Sequence, residues 1–284
     1  MVLNDGLHQF LQIKEKLEVT AENLTASFIS NVQFFKNYGK NLYGLTGTLG
    51  SEEEQNTLKE IYDIEISYIP TFKLKRLINY PLLIKPNDTD WVFSIANSAI
   101  SEYNKNRVVL IINNTINNVL NVRQVISSLG SVPEWDIIMY YNNEIQNQIA
   151  DDELDSRKII IATNLAGRGT DIEISDRINQ NGGTHVILTF LPRNLRIQYQ
   201  AYGRVARKGQ KGTSQLIANN EDLLAHYGSW LNNNYYKLRD DQEAKNQIEL
   251  KNNFIDRTLQ NDIVFSDFTE YITDKAKFKH INHK

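Results

Sequence analysis

Two stretches of this chain combine residue types suited to handling phosphate. The first is Ile161-Ala162-Thr163-Asn164-Leu165-Ala166-Gly167-Arg168-Gly169-Thr170-Asp171-Ile172. An apolar run ends at Ala162, so the polar residues leave the carboxyl end of a strand, where open α/β sheets bind ligands. Gly167 and Gly169 let the backbone approach a partner closely. Arg168 brings a planar fork of donors, Thr170 a hydroxyl and Asp171 one fixed acceptor. A plain strand-to-helix turn with a surface arginine gives the same pattern, because glycine is common in turns.

The second stretch is Arg196-Ile197-Gln198-Tyr199-Gln200-Ala201-Tyr202-Gly203-Arg204-Val205-Ala206-Arg207-Lys208-Gly209. From Thr184 to Asn220 there is no Asp or Glu, while Arg193, Arg196, Arg204, Arg207, Lys208 and Lys211 all occur. In a chain of formal net charge -3, such a local stripe marks an anion site. On one continuous helix, Arg196, Gln200, Arg204 and Arg207 would share a face. Arginine suits bidentate contact with phosphate and can stabilise charge that develops in phosphoryl transfer. The competing reading is an ordinary solvated helix face, which the absence of pairing acids argues against.

The elements that must position these residues follow from periodicity. Apolar residues at Leu3, Leu7, Phe10, Leu11 and Leu17 predict an amphipathic helix, with a second helix over about 27–38. A glycine-rich element, Gly44 to Gly50, precedes Ser51-Glu52-Glu53-Glu54, which reads as a cap with acids in the first turn of a helix reaching Tyr62. After Ile69-Pro70 the pattern changes. Apolar runs at Leu82–Ile84, Val108–Ile112, Ile137–Tyr141, Ile159–Ala162, Val186–Thr189 and Leu216–Ala218 alternate with helical patterns at Trp91–Tyr103, Asn117–Leu129 and Arg196–Ala206. Near-continuous apolar strands separated by helices imply a parallel sheet covered on both faces, hence a doubly wound α/β domain over about 67–225. The remainder reads as helices.

Composition narrows the function classes. With 41% hydrophobic residues the chain of 284 can build a sizeable core. The absence of Cys excludes a disulfide framework, thiol chemistry and a Cys-based zinc site, and the 5 His are scattered, so no metal site is expected. No apolar stretch is long enough to span a membrane. The first residues lack a basic segment followed by an apolar one, so no secretory signal is expected. No Gly-x-Gly-x-x-Gly follows the first strand, which disfavours a dinucleotide-dependent dehydrogenase.

The two stretches resemble motifs V and VI of the two-domain helicase-type motors, and the first is closer to the SecA preprotein translocase ATPases. The likeness extends to His8-Gln9, Lys14-Glu15, Glu22-Asn23-Leu24-Thr25, Leu45-Thr46-Gly47-Thr48, Ile69-Pro70-Thr71, Gly182-Gly183-Thr184-His185 and Glu221-Asp222, all in SecA order over residues 8 to 228. The resemblance implies a RecA-like fold of the P-loop NTPase type with helical N- and C-terminal segments. It implies three parts: 1–66 as the end of a first nucleotide-binding motor domain, 67–225 as the second RecA-like motor domain, and 226–284 as a helical extension. Thr46, Gly47 and Thr48 match motif III, which couples nucleotide state to domain motion. Asp171, with the loop Gly167, Arg168, Gly169 and Thr170, matches the acidic ATP contact of motif V. Arg204 and Arg207 match the motif VI arginines that reach nucleotide phosphates, and Arg196 and Gln200 the polar face before them.

The sequence also departs from the family. No Gly-x-x-x-x-Gly-Lys-[Ser/Thr] occurs, and no apolar strand ends in an Asp-Glu pair of the Walker B kind. The resemblance therefore implies half of an ATP-hydrolysing translocase, inert until a P-loop-containing first motor domain supplies most of the site for ATP and Mg²⁺. It further implies an unfolded preprotein as cargo, a membrane translocation channel as partner, and a cytoplasmic location peripheral to a membrane. Alternatives are half of a nucleic-acid helicase or a degenerate scaffold. Thr46-Gly47-Thr48 and Gly-Arg-Gly-Thr-Asp favour SecA and disfavour nucleic acid as the partner, and the retained Asp171 and arginines speak against the scaffold.

Overall fold

A computed structural model describes residues 7–19, 29–140, 153–164, 172–228 and 234–281. In chain order its elements begin with helices α1 (Leu7–Lys14), α2 (Asn31–Lys36) and α3 (Glu52–Tyr62), followed by strands β1 (Arg76–Asn79) and β2 (Leu83–Lys85). Then come α4 (Asp88–Asn104), β3 (Val108–Asn113), α5 (Ile116–Ser128), β4 (Ile137–Tyr140) and β5 (Lys158–Thr163). Next are α6 (Asp176–Gln180), β6 (Thr184–Leu188), α7 (Leu195–Tyr202), β7 (Lys211–Asn219) and α8 (Asn220–Tyr227). The last are α9 (Tyr235–Glu249), a π-helical turn at Leu250–Ile255 and α10 (Asp256–Ile281). Among the described residues no helix is long and apolar enough to cross a membrane.

Contacts divide the chain into two compact units. One gathers Met1–Tyr43, Glu60–Ile64 and Ile248–Lys284; the other is Gly44–Lys59 with Glu65–Gln247. In the first unit, Ser30 caps α2 by accepting from the amide of Gln33. Ser30 and Asp262 of α10 are both buried, and Asp262 accepts from the Ser30 amide at 2.8 Å and from its hydroxyl. A carboxylate that accepts two donors in this way is satisfied without a cation.

The second unit is built on a seven-stranded, all-parallel sheet in the order β1-β7-β6-β3-β5-β4, with β2 also on β7. β1 and β2 follow one another along the same side of β7. β1 pairs with Lys211–Ser214 and β2 with Ile217–Asn219. Pro81 lies between them, and a residue without an N–H cannot carry the ladder through. The side chains of each central strand alternate between two cores. Val109, Ile111, Ile159, Ile161, Ile187 and Ile217 pack under α4 and α5. Leu110, Ile112, Ile160, Val186, Leu188 and Leu216 face a second cluster containing Ile178, Tyr202, Leu223 and Tyr235. Burial of both faces explains why these runs read as unbroken Ile, Val and Leu.

Helix starts follow local chemistry. Asn87, Thr115, Ser175 and Asn194 each accept, through the side chain, from the amide three residues on. The expected α/β sheet is present, with two corrections. β1 has no apolar run, because it is an exposed edge with only Leu77 partly buried. The helix expected over Arg196–Ala206 stops at Tyr202.

Where β3, β6 and β7 begin, a polar network is sealed in. Arg107 pairs with Glu102 at 2.5 Å and donates to Thr213 Oγ1 at 2.7 Å and to the carbonyl of Gly183 at 3.1 Å. Gly183 is obligatory here, since its φ is +71° and a Cβ would lie 1.9 Å from the Lys211 carbonyl oxygen. The Thr213 hydroxyl, which accepts from Arg107, also lies 2.6 Å from His185 Nδ1. Burial pushes His185 down to about 4, and the charges of Arg107 and Lys105 add to the shift against an opposing pull from Glu102. A depressed histidine stabilises the fold above its unfolded pKa of about 6.5 and loses that stabilisation as pH falls toward 4. Between pH 6.5 and 5 the unfolding free energy of the protein should fall relative to that of His185→Gln, by up to about 1.4 kcal/mol per pH unit, in urea titrations read by circular dichroism. Parallel pH dependence of the two proteins would contradict a buried neutral His185.

Candidate functional site

Residues far apart in sequence meet around α7. Arg196 and Gln200 lie one helical turn apart on this helix, on the side facing the 44–54 segment. The Gln200 side-chain amide donates to Thr48 Oγ1 at 3.1 Å, and Arg196 Nε lies 4.0 Å from Glu54 Oε1. Thr48 is itself held by Thr46, whose hydroxyl oxygen accepts from the Thr48 amide at 3.2 Å. Gly47 is exposed at the tip between them.

Glu54 is fixed by a capping box at the start of α3. Its carboxylate accepts from the Ser51 amide at 2.8 Å, while Ser51 Oγ accepts from the Glu54 amide at 3.3 Å. Gly50 makes this possible, with φ at +99° and space where a Cβ would lie 2.0 Å from Glu54 Oε2. The acid seen in the sequence as a first-turn residue therefore does double duty, capping α3 and facing Arg196.

Beyond Tyr202 the chain leaves helical geometry. Gly203 closes the helix by donating to the Tyr199 carbonyl at 2.7 Å, and Ala206 and Lys208 then take left-handed φ values of +55° and +53°. Arg204 and Arg207 are therefore not on the α7 face expected from their spacing. Arg204 is buried within this unit, whereas Arg207 is exposed and donates through Nε to the Gly203 carbonyl at 2.7 Å. Lys208 pairs with Glu173, and Gln210 donates to the Ile174 carbonyl at 3.1 Å.

The candidate residues Gly167, Arg168, Gly169, Thr170 and Asp171 lie outside the described residues. Both ends of their segment are anchored. The Asn164 amide donates to the Asn113 carbonyl at 2.9 Å where β5 ends, and Ile174 bridges to Leu154 beside the Gln210 contact.

A pocket of about 560 Å³ opens beside that turn. It is lined by the segment entering β1 (Thr71, Phe72, Lys73, Lys75) and by the turn entering β7 (Gly203 and Val205–Gly209). Parallel pairing with Arg76 opposite Lys211 places the two entering segments side by side. The described cations of this pocket thus gather at the amino ends of β1 and β7. Lys73 and Lys75 were missed in the sequence, although Lys73-x-Lys75-Arg76 directly after Ile69-Pro70 is a visible basic cluster. Partial burial first, and the neighbouring charge of Arg207 second, hold Lys75 below the usual lysine range.

These residues fit a phosphate-bearing ligand, because cations converge on a cavity whose lining includes no carboxylate among the described residues. They do not fit Mg²⁺, since the described lining offers it no carboxylate ligand.

A parallel sheet with helices on both faces and its cationic turn at one end define a RecA-like α/β domain. Sequence relatives give the family. The chain is 31% identical over 259 residues to the protein translocase subunit SecA of Solidesulfovibrio magneticus, covering 91% of this chain and 30% of that protein. It is 30% identical over 279 residues to SecA 2 of Geobacillus thermodenitrificans, covering 97% and 33%. By sequence the chain falls in the SecA family, and it spans about a third of the length of these relatives. No family model matches. Among solved structures, Dbp5 of S. cerevisiae bound to RNA and ADP BeF3 aligns with a TM-score of 0.44 at 16% identity, covering 68% of this chain and 46% of that one. Domain 2 of the DEAD-box helicase Mss116p bound to an RNA duplex aligns at 0.38 and 17%, covering 55% and 59%.

A neutral hydrogen bond of the Thr48–Gln200 kind contributes about 0.5–1.5 kcal/mol net. A double-mutant cycle of Thr48→Val and Gln200→Leu, read by denaturant unfolding, should return a coupling of about that size. Strict additivity would show that the loop and the helix are not linked there.

Proposed function

We propose that this chain is part of an ATP-driven, SecA-like protein translocase motor. Family membership supports the class. The observation that carries the reading is the meeting of Thr48 with Gln200 across 152 residues of sequence, which joins the Thr46-Gly47-Thr48 loop to the helix leading to Arg207. A change at a phosphate held near Arg207 reaches that loop through one short helix, and bistable contacts of this kind turn nucleotide state into motion.

In this reading ATP provides the phosphates, and a domain carrying a P-loop and the Mg²⁺ ligands holds most of it. This chain contributes Arg207 to the phosphates, with Asp171 and the Gly167–Thr170 loop as further nucleotide contacts. Arg204 supports the turn from the interior, while Arg196 and Gln200 relay its position to Glu54 and Thr48. The cargo is an unfolded preprotein and the docking partner a membrane translocation channel. The protein works in the cytoplasm at the membrane face.

The chain alone should show no ATP turnover, and addition of a SecA first motor domain in trans should restore it. Arg207→Ala, at an exposed position, should then lower turnover by about 10³-fold without changing the melting temperature. Arg204→Ala, at a buried one, should lower turnover and stability together. Turnover by the chain alone would reveal a phosphate cradle in this sequence, and an inert completed pair would leave a scaffold.

A further inference from the structure

The pocket beside Arg207 is basic on two sides, and only one of them belongs to the turn after α7. Lys73 and Lys75 come from the segment entering β1, which the reading above leaves without a role. Their placement is built in. Gly209 has φ +81°, and a Cβ there would come within 3.0 Å of Lys73 Cδ, so the absence of a side chain leaves room for the lysine stem along the turn. Two residues on, Lys75 immediately precedes Arg76, whose register opposite Lys211 fixes the segment against β7. Cations that repel one another are held together here by backbone pairing, and the affinity of Lys75 for its proton is lowered first by burial and second by the charge of Arg207. An anion bound among them removes that repulsion. The volume of about 560 Å³ lies in the range of small-molecule sites.

We propose that Lys73 and Lys75 join Arg207 in gripping the phosphoanhydride chain of a nucleoside di- or triphosphate, so that the β1 segment supplies one wall of the phosphate site. The inference rests on the reading of Arg207 as a phosphate contact. Arginine provides the directional fork, and the lysines provide compact charge able to follow a chain of phosphates. Lys208 takes a lesser part, because its ammonium is paired with Glu173.

The test is titration calorimetry of the whole chain at low salt with sodium triphosphate and, separately, with ATP. Lys75→Gln and Lys73→Gln are each expected to weaken triphosphate binding about tenfold, Lys75→Arg to retain most of it, and Lys59→Gln on α3 to leave it unchanged. Equal melting temperatures exclude misfolding as the cause. ATP binding tighter than triphosphate identifies a nucleotide as the source of the phosphates, equal binding identifies the phosphate chain alone, and both uphold the grip. No binding by the unaltered chain, or binding unaffected by both glutamine variants, overturns it. The two readings fail separately. If Arg207→Ala weakens binding and the lysine variants do not, the lysine wall is wrong and the Arg207 reading stands. If the lysines matter and the completed pair never turns over ATP, the phosphate site stands without the motor.

Discussion

In a parallel sheet every strand enters from the same side, and the distribution of charge in this molecule follows from that constraint. Segments distant in sequence become neighbours wherever their strands pair, at both ends of the sheet. Pairing of β1 with β7 brings the Lys73–Lys75 segment beside the turn carrying Arg207. Pairing of β6 with β7 brings His185 opposite Thr213 and closes the network with Arg107 and Glu102. Neither grouping is local in sequence, and neither needs a loop long enough to search for its partner. The apolar cores on the two faces hold the register, because a slip of one residue would turn Ile111, Ile161 and Ile187 into the wrong layer.

The same constraint explains what could be read in the sequence. Strands β3, β5 and β6 are buried on both faces and announce themselves as apolar runs. β1 is an edge, needs no such run, and stays silent between Arg76 and Asn79. The helical expectation for Arg196 to Ala206 fails at Gly203 for a specific reason. Ala206 and Lys208 adopt left-handed backbone, which neither residue type advertises, and the period of 3.6 therefore carries the prediction past the true end of the helix. Motif order identified the family and the turn. It could not say that Arg204 points inward and Arg207 outward, because burial depends on strands that the motif itself does not contain.

Helix α9 marks the limit of pattern reading from the other direction. Its sequence opens on the pair Tyr235-Tyr236, and Tyr235 is in the core. Yet its most buried large side chain is Arg239, which donates to Gln198 Oε1 at 2.5 Å and lies over the ring of Tyr236. A buried guanidinium is tolerable when its donors are satisfied and its face is covered by an aromatic ring. Gln198 thereby anchors α7 from beneath while Gln200, two residues on, faces Thr48. One short helix is thus pinned at two of its sides, which suits an element whose end carries the cationic turn.

Pro81 has a further consequence. An edge strand normally offers a ladder of unpaired amides and carbonyls, an invitation to another chain to add a strand and start a fibre. Here the edge is split into a four-residue piece and a three-residue piece by a residue with no amide hydrogen. Neither piece offers an incoming strand a long uninterrupted ladder. The sheet that brings the cations together is thus terminated, at the same edge, against aggregation.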